Sequence, residues 1–293
     1  MKPSFAVIGC GKVGSALAAR LTAAGYPLVG AASRTIESAR KLGCHGESVP
    51  CSTSPWEVTS AAEIVLITTP DGLIEKTCRE IADRQGFKEN AVVLHCSGVL
   101  PSTILSTAES GKASIGSLHP LQSFAGLKVH ANPFAGIIIA IEGQGQALST
   151  ARQMAEDLGA RCLPIKTEAK TLYHAAAVMA SNYLVTLQAS AIALLQEAGI
   201  PRQEAFSVLK PLLQGTLANI EKLGVDAALT GPIARGDLQT VGNHVAAIGR
   251  FSPVMLELYN VLGRHTIPIA RKAGIPETVA DALARMLAEE PQR

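Results

Sequence analysis

The sequence predicts an α/β protein, with a mostly parallel β-sheet in its first half and an all-helical second half. Three observations predict it. The apolar run Phe5-Ala6-Val7-Ile8 ends in Gly9-Cys10-Gly11-Lys12-Val13-Gly14, and a helical pattern of small and apolar residues follows. Short β-type runs then alternate with helical stretches as far as residue 165, an order that implies crossover connections and a sheet covered on both faces. From residue 166 onward only helical periodicity remains. The expected organisation is one domain over 1–165 and a helical domain over 166–293.

Taken in order, the expected strands are 4–9, 27–33, 63–70, 91–98, 113–120, 135–142 and 161–165. They are compact apolar runs, as strands buried on both faces should be. A helix over 12–24 stops at Gly25 and Pro27, and a second covers 73–84. Thr167 is placed to cap a long helix that runs to Glu197, where Gly199 and Pro201 stop it. That helix is apolar on nearly every side, which predicts burial all round, inside a helical domain or a dimer interface. Further helices are expected over 202–214, 217–223, 237–249, 253–273 and 276–289. "FSP" at 251–253 and "GIPE" at 274–277 supply start signals with proline in the first turn.

Composition narrows the function. The 293 residues are 47% hydrophobic and 4% aromatic with a net charge of +2. A basic stripe with interleaved aromatics is missing, so nucleic acid is not an expected partner. The six cysteines form no CxxC pair and fit a reducing cytoplasm. The most apolar stretch, around 175–195, is interrupted by Ser181, Asn182, Thr186, Gln188 and Ser190, and no membrane span is expected. No metal site is expected, because the histidines and Asp237 lie at no ligand spacing.

Gly9, Gly11 and Gly14 stand between a strand and a helix at the spacing of a dinucleotide-binding turn. The first glycine allows the tight turn, the second lets backbone approach a pyrophosphate, and the third lets helix pack on strand. The helix N-terminus at Lys12 and Val13 then faces the anion. The second strand ends in Ser33-Arg34-Thr35, where an NAD site tends to carry an acid. A guanidinium and hydroxyls suit a 2′-phosphate, so NADP is favoured over NAD. Thr68-Thr69-Pro70-Asp71 and Ser97-Gly98 follow the strands at 63–70 and 91–98, where ligands of such sheets bind.

At "VIGCGKVGSALA", "ASRT", "TTPD" and "HCSG" the first half resembles the Rossmann domains of pyrroline-5-carboxylate reductase, prephenate dehydrogenase and the 6-phosphogluconate or β-hydroxyacid dehydrogenases. At "HPLQSF", "KTLYHAAAVMASNYLVTL", "LTGPIARGD" and "TVGNH" the rest resembles the helical DUF2520 domain. The resemblance implies NAD(P)-dependent oxidoreduction and a homodimer formed through the helical domains. In β-hydroxyacid dehydrogenases a Lys and an Asn one turn apart on the corresponding helix act on substrate. Here Lys170 and Asn182 stand three turns apart, with His174 between.

Candidate chemistry follows from this helix. Lys170, His174 and Ser181 share a narrow face of a regular α-helix, and Asn182 lies beside it. A polar stripe on an apolar helix needs partners, which substrate and water would supply. His174 is the expected acid/base or donor and Asn182 an orienting amide, the alternative being a networked core pair. His119, before Pro120, and Ser123 are expected substrate contacts, or a loop held rigid by the proline. Arg235 is placed to clamp an anion, while Asp237 opens a helix as N-cap and shares a face with His244. The expected activity is NADP-dependent hydride transfer to or from a small anionic substrate in a cleft between the domains. The alternatives are a non-catalytic NADP-binding sensor and an F420-linked NADP reductase.

Overall fold

A computed structural model describes residues 1–43, 49–124 and 132–288. Contacts divide the chain into two compact units, Met1–Ser181 and Asn182–Arg293. The sequence pattern changes earlier, at residue 166, because Lys170 and the turn before it are bound into the first unit by hydrogen bonds to the sheet.

In the first unit, strands β1 (Phe5–Ile8), β2 (Leu28–Ala32), β3 (Cys51–Ser52), β4 (Ile64–Ile67), β5 (Val92–His95), β6 (Ser114–Pro120), β7 (Ile138–Gly143) and β8 (Arg161–Pro164) form one sheet. Its order is β3-β2-β1-β4-β5-β6-β7-β8. Only the β6–β7 pairing is antiparallel, with His119 opposite Ala140. The two-residue strand β3 is too short to leave a periodic signal and was not expected.

Alternate residues of the central strands feed two separate cores. Phe5, Val7, Leu66 and Leu94 pack on one face with α1 (Lys12–Ala23), through Leu17 and Leu21, and with Met154 of a helix over Gly145–Asp157. Ala6, Ile8, Val65, Ile67 and Val93 pack on the other face. There they meet Ile74 and Ile81 of a helix over Asp71–Asp83 and Leu105 of a 3₁₀ helix over Ser102–Gly111. Each fully buried side chain of this size contributes about 1.5–3 kcal/mol. This two-sided burial explains the unbroken apolar runs. It also separates the chain leaving β1, which enters α1 on one face, from the chain leaving β4, which enters a helix on the other. Their carboxyl ends therefore border the crevice where such sheets take ligands.

The expected single helix from Thr167 to Glu197 is composite. A 3₁₀ turn (Thr167–Ala169), an α-helix (Lys170–Ala177), a π turn (Val178–Asn182) and an α-helix (Tyr183–Glu197) follow one another. Thr167 does not cap it, because its hydroxyl donates to Glu142 Oε1 at 2.8 Å. Gly199 does end it: with φ +88° its N–H reaches Gln196 O and Ile200 N–H reaches Leu195 O, a Schellman closure. The expectation of burial all round is corrected. None of the residues in Tyr183–Glu197 is buried within the chain, and Val185 is 69% exposed. By length and composition alone, Thr167–Glu197 is also long and apolar enough to cross a membrane, despite its interrupting polar residues.

The second unit is helical throughout its described residues. The helices expected at 202–214 and 217–223 are one helix, Arg202–Leu223, with Pro211 inside it. Proline deletes one backbone bond, and the helix continues past it, where Thr216 Oγ1 bonds Leu212 O at 3.0 Å. Asp237 caps Leu238–Phe251 as expected, accepting from Thr240 N at 3.0 Å, and Ser252 with Pro253 opens Pro253–Lys272.

Candidate functional site

The glycine turn is built as its spacing requires. Gly9 has φ +105°, and a Cβ there would lie 2.7 Å from the backbone of Thr68 and Thr69. A Cβ on Gly14 would lie 2.2 Å from Gly9 O. Both glycines therefore let α1 and the turn close onto β4. Gly11 is different: it is exposed, its backbone is extended, and a Cβ would meet no atom within 4 Å. This open face leads to the N-terminus of α1, where no acidic side chain occupies the first turn. Lys12 is exposed and Val13 half-buried. Thr68 Oγ1 donates to Gly9 O at 2.5 Å and locks the turn to β4. Beside it, Thr69 Oγ1 is buried without a hydrogen-bond partner, an orphan of the kind a ligand satisfies. Pro70, exposed, precedes the helix that begins at Asp71.

At the end of β2, Cys10 Sγ lies 3.5 Å from Ala32 O, and burial pushes its thiol up to about 11, so it is a packing group. Ser33 N–H bonds Ser52 O on β3. Arg34 is exposed and has no hydrogen-bond or ion-pair partner among the described residues. Thr35 Oγ1 caps the helix Ile36–Gly43, accepting from Ser38 N at 3.4 Å. Ser33, Arg34 and Thr35 thus stand together at the rim of the crevice beside the glycine turn. An open Gly11 face, an orphaned Thr69 hydroxyl and a free guanidinium fit a phosphorylated dinucleotide.

A second cluster lies beyond the carboxyl ends of β5 and β6. His95 is fully buried at the end of β5. Ser97 N–H donates to its Nδ1 at 3.1 Å, which leaves the proton on Nε2, 3.2 Å from Pro101 O. The imidazole is therefore neutral, and burial, aided by the Lys170 charge, brings its pKa down to about 4. The Ser97 hydroxyl is engaged within its loop: it donates to Asp71 Oδ2 at 2.9 Å and accepts from Val99 and Leu100 N–H. Gly98 is wedged between two rings, since a Cβ there would lie 2.6 Å from His174 Cδ2 and 2.8 Å from His119 Nε2. His119 Nδ1 lies 3.0 Å from the Tyr173 hydroxyl, and the His119 and His174 rings meet edge-on with centroids 6.1 Å apart. Burial, then Lys170 and His174, hold His119 down to about 4.

Beneath this cluster are Lys170, 1% exposed, and Glu142, 2% exposed. Lys170 Nζ donates to Ser117 Oγ at 2.7 Å and to Ser97 O at 3.2 Å, and lies 3.9 Å from Glu142 Oε2. Glu142 accepts from Ser102 N–H, Ser102 Oγ, Ser117 Oγ and Thr167 Oγ1. Burial pushes the Glu142 carboxyl up, but these donors and the ammonium outweigh it and hold it below its ordinary value.

The structure thus brings together His119, His174, Lys170 and Ser97, which the sequence singled out. It adds Tyr173, Glu142, His95 and Asp71, which it did not. A lone carboxylate within the apolar strand "IIAIEG" was the available signal for Glu142. Ser123 is exposed, and its N–H is held by the Gln122 side chain. Ser181 and Asn182 are exposed and lie in the π turn, so regular 100° spacing no longer aligns them with His174. In the second unit Arg235 is exposed, and exposed His244 bonds the Tyr259 hydroxyl at 2.9 Å.

Residues 4–95 match the family described as NADP oxidoreductase, coenzyme F420-dependent. Residues 137–266 match DUF2520, a domain of unknown function. A candidate NADP oxidoreductase from Bacteroides fragilis is 26% identical in sequence, with a TM-score of 0.73 over 93% of this chain and 98% of that one. A Thermotoga maritima protein is 25% identical, with a TM-score of 0.65 over 95% and 98%. An imine reductase from Pseudomonas sp. is 18% identical, with a TM-score of 0.59 over 97% and 92%, a likeness of fold alone. No curated protein matches the chain. Fold and family resemblance are those of the NAD(P)-dependent oxidoreductases, a Rossmann-type sheet followed in sequence by a DUF2520 region.

Proposed function

We propose that this protein is an oxidoreductase that binds NADP in preference to NAD and acts on a small anionic substrate. The observation that carries the reading is the division of labour among three glycines, two packed shut against β4 and Gly11 left open at the start of α1. A nicotinamide dinucleotide, when bound, supplies or accepts a hydride. The chain's own residues do the rest. Backbone at Gly11, Lys12 and Val13 receives the pyrophosphate, and Thr69 Oγ1 gains a partner. Ser33, Arg34 and Thr35 hold the 2′-phosphate. His119, neutral and paired with Tyr173, and His174 hold and move the proton at the reacting heteroatom. Arg235, exposed in the second unit, supports the anionic substrate class.

Equilibrium titration with NADPH and NADH, read by cofactor fluorescence, tests the reading. Wild-type protein should bind NADPH tighter; binding of neither would overturn it. Arg34→Ala should weaken NADPH by about 10–100-fold, the worth of one charge-assisted contact, and leave NADH unchanged. Equal losses for both nucleotides would remove the 2′-phosphate assignment. The matched family description supports a second reading, in which F420 is the hydride partner of NADP; binding of F420 alongside NADPH distinguishes it.

We also propose a homodimer through the helical region. Val185, Val208, Leu212 and Leu217 are more than half exposed on Tyr183–Glu197 and Arg202–Leu223, more apolar surface than a solitary chain normally presents. Light scattering in solution should give twice the chain mass of 30.5 kDa. A monomer, or protein recovered on lipid vesicles, would reject the dimer.

A further inference from the structure

Lys170 occupies a helix position at which a lysine invites a role in proton transfer, yet its ammonium has no open side. Its Nζ is bound to Ser117 Oγ and Ser97 O and faces Glu142. Glu142 in turn accepts four hydrogen bonds, which occupies a carboxylate's capacity. The donors come from separate parts of the first unit: the turn after β5, the 3₁₀ helix, β6, and the segment that starts the Lys170 helix. All are fastened to the end of β7. The rings of His119 and His174 pack against Gly98, the residue after Ser97.

We propose that Lys170 and Glu142 are positioning residues, a buried ion pair that fixes the Ser97–Gly98 turn and thereby the setting of His119, Tyr173 and His174. Neither touches substrate. The proposal rests on the oxidoreductase reading for its purpose and on the first unit alone for its geometry.

The pair has an energetic signature. Removing one partner leaves a buried charge uncompensated, whereas removing both charges does not. Lys170→Met and Glu142→Gln should each lower the melting temperature by about 10 °C, and the double variant should recover most of that loss. Equal or additive losses in the double variant would overturn the pairing. Accessibility supplies a test on unmodified protein. Reductive methylation with formaldehyde and cyanoborohydride, mapped by mass spectrometry, should label exposed Lys12 and Lys88 and spare Lys170. Labelling of Lys170 at their rate would show an ammonium open to small molecules and refute the proposal.

The charge also acts on His119, whose other charged or titratable neighbours are His174, Asp71 and Tyr173. Followed by NMR in the double variant, the His119 ring should titrate closer to 6.5 than its wild-type value of about 4. An unmoved titration would mean that Lys170 does not set the ring's environment. None of these measurements uses a nucleotide. Failure of wild type to bind NADPH would therefore sink the oxidoreductase reading while leaving the ion-pair result to stand or fall separately.

Discussion

Gly11→Val leaves the protein folded and abolishes binding of NADPH and NADH alike. The extended backbone at Gly11 accepts a β-branched residue, and its Cβ would project into open space. The cost is that of exchanging a tolerable N-cap for a poor one, about 1 kcal/mol. The added side chain occupies the face along which a pyrophosphate must approach the helix N-terminus. Gly14→Val is the contrasting case. Its Cβ would fall 2.2 Å from Gly9 O and 2.5 Å from Thr68 Oγ1, so α1 could no longer close on the sheet. Circular dichroism melts and fluorescence titrations of both variants check this. A folded Gly11→Val protein that binds nucleotide within tenfold of wild type would show that the turn is not the nucleotide site.

Acid should unfold the protein well above the ordinary carboxylate range, with the loss of stability beginning near pH 6.5. His95 and His119 are held near 4 in the folded chain, chiefly by burial, against 6.5 when free. Between those values the unfolded chain binds more protons, so stability is fully present above pH 6.5 and declines as pH falls toward 4. For His95 the shift corresponds to about 3 kcal/mol. The geometry explains why: a protonated Nδ1 could no longer accept the Ser97 N–H, and the turn that carries Gly98 would lose its anchor. Urea melts at intervals from pH 7.5 to 4.5 would read the slope. His95→Asn keeps an acceptor near Nδ1 without titrating, and should flatten the part of the curve due to His95. Constant stability from pH 7 to 5 would contradict both histidine assignments.

What the sequence legibly carried was local. Unbroken apolar runs announced strands buried on two faces, because a parallel sheet leaves its central strands no solvent side. Gly9, Gly11 and Gly14 announced the turn, because a strand-to-helix reversal of that length needs glycine at those places. Asp237, Ser252 and Gly199 announced helix ends, because capping uses groups within a few residues of one another. Arg34 was visible as a cation where an acid is common.

Tertiary structure decided what lies between distant segments. Glu142 gathers donors from residues 102, 117 and 167, and Lys170 reaches back to residue 97. Periodicity records which way a side chain points on its own element, and it carries no record of which element lies opposite. The same limit explains the long apolar helix. Its composition asked for cover, but a single chain's folding left it exposed, so what covers it is a property of assembly. The π turn at Val178–Asn182 shifted Ser181 and Asn182 off the face that regular spacing assigned them, since one extra residue per turn rotates everything after it. By itself the sequence determined the sheet, the turn and the helix ends, whose causes are a few residues long. Which polar groups meet in the dark beneath Gly98 was settled only when distant strands were brought into register, because a buried charge can be held only by partners that folding delivers.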